Sequence, residues 1–140
     1  MVVAGLVVAW LSLLSGYDIR QRRLPNWLTL PAAVLVPAVA AAAGRGPAAL
    51  AGAAALTGVY LVVHLIAPAG LGAGDVKLAA ALGALTGSFG ADVWLLAAVS
   101  APLLTGLWGL SVAMAGGGRT VPHGPSMCLA SAVAAGLGML

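Results

Sequence analysis

GPAALAGAAALTGVYLVVHLIAPAGLGAG, residues 46–74, contains no charged side chain. A membrane-spanning helix needs about 20 mostly apolar residues. This stretch is long enough to cross, with a glycine-rich tail left over before Asp75. The same pattern extends in both directions. Charges cut the chain into uncharged runs at 1–17, 24–44, 46–74, 78–91, 93–118 and 120–140. Six spans of typical length use roughly 120 residues, and the chain has 140. Of these, 62% are hydrophobic and only 6% charged, where a soluble domain is about a quarter charged. A globule this small could not bury so much apolar surface. These figures exclude a soluble cytosolic enzyme, a disordered tail and a nucleic-acid binder. The net charge of +3 rests on six cations, most of them near expected helix ends, not gathered on one basic face. The single Cys128 excludes an internal disulfide and a Cys-based zinc site.

The expected fold is an all-α polytopic membrane protein of about six transmembrane helices, one domain over residues 1–140. The spans read as Met1–Tyr17, Trp27–Ala43, Ala48–Ala67, Val76–Gly87, Asp92–Ala115 and Pro125–Leu140. The fourth is short and glycine-flanked, and is expected to be tilted, broken or extended by irregular backbone, which survives at membrane depth only inside protein or beside a wet cavity. The first span lacks the basic start and the small-residue cleavage site of a signal peptide. Arg20, Arg22 and Arg23 follow it. Positive residues favour the cytoplasm, so the N-terminus is expected outside. Lys77 and Arg119 then fall inside, and only Arg45 outside. Trp27 and Trp94 sit near span ends, as interfacial indoles do. Gly52, Ala53, Ala55, Gly58, Gly83 and Gly87 are expected to let helices approach closely.

Asp18, Asp75 and Asp92 are the only acids. By this threading Asp18 and Asp75 share the cytoplasmic face and Asp92 the opposite one. Ionisable groups near bilayer depth are costly and default to a functional reading. A carboxylate pair suits peptide hydrolysis: one, ionised, takes a proton from water, while the other, protonated, gives one to the carbonyl oxygen. Close carboxylates do not both ionise easily. Asp18 ends a helix and Asp75 begins one, so the helix dipoles favour Asp75 as the anion and initial base, with Asp18 as the acid. Glycines in Gly70-Leu71-Gly72-Ala73-Gly74-Asp75 let backbone approach closely. They offer a strand-like edge for an extended peptide. The structural alternatives are a turn with an Asp helix cap at Asp75, an Asp18–Arg22 ion pair, and arginines that only set topology or attract anionic lipid. Pro25-Asn26 reads as a turn into the second span.

Asp18 with a following basic stretch and Leu24-Pro25-Asn26, then Gly72-Ala73-Gly74-Asp75-Val76-Lys77-Leu78, resembles the prepilin peptidases. These are the type IV leader peptidases, membrane aspartyl proteases of the GxGD type. Val121-Pro122-His123-Gly124-Pro125 is similar to that family's Pro-aromatic-Gly-Pro signature, with His123 in place of the aromatic. The resemblance runs in order over nearly the whole chain. It implies cleavage of the basic leader from type IV prepilins, pseudopilins or Flp-type pilins at the cytoplasmic face of the cell membrane. It implies Asp18 and Asp75 as the catalytic pair, and Gly72, Gly74, Lys77, Pro25 and Asn26 as substrate-binding positions. It implies no metal and no cofactor. The partners implied are a pilin with a cationic leader and a hydrophobic helix, and the lipid bilayer, with no nucleic acid. Longer relatives carry a cytoplasmic loop with Cys pairs and also N-methylate their product. This chain looks like the short stand-alone form, and methylation is not expected.

The alternative readings are a small proton- or ion-conducting membrane protein, with His64 joining Asp18 and Asp75 in a relay, and an inactive pilus-assembly homologue. A presenilin-type protease would need more spans and a Pro-Ala-Leu motif, absent here. Cys128 lies in an apolar span, where a thiol is usually inert.

Overall fold

The computed structural model describes residues 1–118 and 120–140; Arg119, expected inside, lies outside the described residues. Six helices account for the described fold: α1 Val2–Gln21, α2 Asn26–Ala42, α3 Gly46–Ile66, α4 Ala73–Gly87, α5 Ala91–Met114 and α6 Gly124–Gly138. No strand occurs among the described residues. Helices α1, α3 and α5 are long and apolar enough to cross a membrane, and α2 and α6 are shorter apolar helices. Among the described residues the charges stand at or near the helix ends. Between them large apolar side chains point outward, among them Val34, Leu35, Leu65, Leu103 and Leu107, each more than half exposed. In water such a surface would aggregate; in lipid it is the expected exterior.

α4 is the centre of the bundle. From Leu78 to Gly87 no residue is exposed, and Leu78, Ala79, Leu82 and Ala84 are fully buried. α2, α3, α5 and α6 pack around it, and α1 lies against α6. The fourth segment is therefore a continuous helix, neither broken nor irregular. Short as it is, it packs against four other helices.

Three glycines make its closest seam. A Cβ on Gly52 of α3 would collide with the Gly83 carbonyl oxygen of α4 and stand 2.9 Å from the Gly87 Cα. A Cβ on Gly83 would collide in turn with the Gly52 carbonyl oxygen. The two backbones thus touch, as small residues permit in membranes. Gly58, named with them from sequence, has nothing within 4 Å. Trp94, near the start of α5 as expected, is half-buried, and its indole Nε1 donates to the Gly52 carbonyl at 3.0 Å. Trp27, at the start of α2, is 62% exposed.

Candidate active site

Two helix boundaries differ from the expected spans by three or four residues, and both bear on the acids. α1 continues past Asp18 to Gln21 and ends in a left-handed Arg22 at φ 54, whose N–H bonds back to the Asp18 carbonyl. Asp18 therefore projects from the last full turn of α1. α4 starts at Ala73, so Asp75 lies in its first turn, and only Gly72 at the N-cap keeps extended backbone, at φ −74 and ψ 155. The strand-like edge expected over Gly70–Gly74 is confined to that one residue.

Both carboxyls are buried, Asp18 at 7% and Asp75 at 9% exposure. They line a single cavity of about 300 Å³. Its other walls are Arg22, Arg23, Leu24, Asn26, Gly72, Ala73, Gly74 and Lys77. Of the residues proposed from sequence, Asp18, Asp75, Gly72, Gly74, Lys77 and Asn26 are brought together there. Pro25 is not among the cavity residues; it caps α2. Asp92 is in the first turn of α5, whereas Thr105 further along the same helix reaches His123 beside Asp18. Thirteen residues of helix put these positions on the order of 20 Å apart, so Asp92 belongs to the opposite end.

Local packing explains the assembly. Gly74 has Leu24 directly above it: an added Cβ would lie 3.2 Å from the Leu24 Cβ. Leu24 is thereby buried, and the α1–α2 turn is seated on the start of α4. Lys77 Nζ donates to Asn26 Oδ1 at 2.9 Å, tying α4 to α2. Arg22 reaches outward and donates to Thr120 Oγ1 at 3.1 Å.

Sequence reasoning missed the partner of Asp18. The Gly124 N–H, at the start of α6, donates to Asp18 Oδ2 at 2.9 Å. A Cβ on Gly124 would stand in that carboxyl group. The adjacent His123 is held on both ring nitrogens, Nε2 by the Tyr60 hydroxyl at 2.8 Å and Nδ1 by Thr105 Oγ1 at 2.6 Å. Burial pushes its pKa down to about 4, so the ring is neutral near pH 7. The Pro-x-Gly-Pro pattern pointed at Gly124, but nothing local marks Tyr60 or Thr105. His64 Nδ1 meets the Leu71 carbonyl at 2.6 Å and does not line the cavity. Cys128 is buried in the core.

Among the described residues no cluster of three or more His, Cys, Asp or Glu could hold a metal. The arrangement offers two carboxyls, a confined polar cavity and a glycine-lined approach. General acid–base hydrolysis needs those elements.

Comparison with known proteins gives a family match. The model of the type IV leader peptidase family fits residues 5–140. No curated protein and no solved structure matches the chain. The match takes in residues of all six helices and both acids of the cavity, and this chain belongs to the type IV leader peptidase family.

Proposed function

We propose that this protein is a membrane aspartyl endopeptidase that removes the basic leader from type IV or Flp-type prepilins or pseudopilins. One observation carries the reading: Asp18 of α1 and Asp75 of α4 are buried side chains of one cavity. Buried acids in a membrane protein are expensive unless used. The cationic residues after α1 and at Lys77 support a cavity facing the cytoplasm, with the N-terminus outside. The substrate's hydrophobic helix lies in the bilayer, and its leader enters the cavity past Gly72 and Gly74.

The Gly124 N–H favours Asp18 as the initial base, the reverse of the helix-dipole expectation. A backbone N–H donated to a carboxyl favours its ionised form. Asp18 removes a proton from water, and the resulting hydroxide attacks the scissile carbonyl carbon. Asp75, protonated, donates to the carbonyl oxygen. Collapse of the tetrahedral adduct breaks the C–N bond, and the proton held by Asp18 passes to the leaving amine. Asp75 recovers its own proton from the adduct's hydroxyl. A proton-conducting role has less support, because His64 bonds to the backbone outside the cavity.

The test is reconstitution in liposomes with a purified prepilin bearing a basic leader. Mass spectrometry should find a product trimmed of the leader, without proton flux through the vesicles. Uncleaved pilin together with proton flux would overturn the reading in favour of conduction. The pH–rate profile of kcat/KM should be bell-shaped, since one carboxyl must be ionised and the other protonated. Activity rises as the base ionises and falls as the acid deprotonates. A profile flat from acidic to neutral pH contradicts a carboxyl pair.

A further inference from the structure

His123 makes no contact with the Asp18–Asp75 cavity, yet it is the most firmly held polar side chain near it. One tautomer pairs every group along this chain of bonds. In it, Thr105 Oγ1 donates to the Ala101 carbonyl at 3.1 Å and accepts from the His123 Nδ1–H, while Nε2 accepts the Tyr60 hydroxyl proton. Every donor and acceptor in the chain Tyr60–His123–Thr105–Ala101 is matched. The ring is pinned between α3 and α5, with the tilted Tyr60 ring 5.6 Å from its own. Next in the backbone is Gly124, whose N–H grips Asp18.

We infer that His123 is a positioning residue: clamped by Tyr60 and Thr105, it aims the Gly124 N–H at the Asp18 carboxyl and sets that carboxyl's orientation. The inference rests on the reading of Asp18 as the catalytic carboxyl. The physical reason is rigidity. Gly124 opens α6, where an amide has no acceptor within its own helix. Its N–H is given instead to Asp18. A glycine preceded by an unanchored residue would let that N–H swing. Misplacing a reacting group by about 1 Å can cost 10²-fold in rate.

The test uses the full-length protein in detergent micelles. His123→Phe keeps the ring and loses both nitrogens; Tyr60→Phe and Thr105→Val each remove one clamp with little change of volume. Amide exchange at Gly124, followed by NMR on isotope-labelled glycine, reports the Asp18 bond without any substrate, and Asp18→Ala sets its unprotected limit. Exchange is expected to quicken about five- to tenfold in Tyr60→Phe and Thr105→Val, as loss of one hydrogen bond implies, and to approach that limit in His123→Phe. With prepilin substrate, kcat should fall roughly 10- to 100-fold while KM stays near wild type. In a His123→Phe background, adding Tyr60→Phe should have no further effect, since both act through one ring. Unchanged Gly124 exchange in all three variants, or a change in KM alone, would overturn the inference. If Asp18→Ala still cleaves, the peptidase reading of Asp18 fails, and the exchange data decide the positioning separately.

Discussion

Asp18→Asn and Asp75→Asn are each expected to reduce leader cleavage by about 10²–10⁴-fold, the usual worth of a positioned acid or base. Asparagine keeps the size of the side chain, and its amide oxygen can still accept the Gly124 N–H in the Asp18→Asn variant. What is lost is proton transfer. In the proposed mechanism the pair works as a unit, so the double variant should be hardly worse than either single one. Co-expression with a prepilin and a gel shift reads the effect, and membrane fractionation checks that the variants insert. Processing that persists in either variant, with the protein in the membrane, would contradict the carboxyl mechanism.

Gly83→Leu is expected to be the most damaging substitution away from the cavity. Its Cβ would meet the Gly52 carbonyl and lie 2.9 Å from the Leu56 Cβ and 3.0 Å from the Ala53 Cα. Two of these three obstacles are backbone, which cannot rotate away. Overpacking in a core costs about 1–3 kcal/mol and occasionally more; here the helices must separate, so a cost of about 3 kcal/mol or more is expected. Gly58→Leu on α3 is the matched control, since nothing lies within 4 Å of its added carbon. Thermal unfolding in detergent should show Gly83→Leu melting well below wild type and Gly58→Leu close to it. Equal melting of the two would mean that the α3–α4 seam is not backbone-tight.

The membrane class and the approximate helix boundaries were legible because nine charges in an apolar chain mark the segment ends sharply. The meeting of Asp18 with Asp75 followed from counting crossings: the end of the first span and the start of the fourth fall on the same side. What counting could not show is which helix stands in the middle. From sequence α4 reads as the weakest span, being short and glycine-flanked, whereas those traits belong to a helix wrapped by others. The expectation for Gly58 fails for the same reason: a residue's position along a span says nothing about which way it faces. The Gly124 grip on Asp18 joins residues near opposite ends of the chain, and such pairings leave no periodicity behind. Pro25 was proposed for its place in a motif, but its rigid φ serves the start of α2.

The brevity of α4 has one more consequence. Fifteen residues rise about 22 Å, against roughly 30 Å of hydrocarbon. A lipid-facing helix would meet this mismatch by thinning the bilayer around it. α4 is sheathed by its neighbours and has no such need, so at least one of its ends stops short of the headgroups. Asp75 stands in its first turn, and when that end is the recessed one the cavity is a well below the headgroups rather than a flat surface. On the proposed reading, a bond cut at the foot of such a well is chosen by depth, with the start of the substrate's own apolar helix as the ruler.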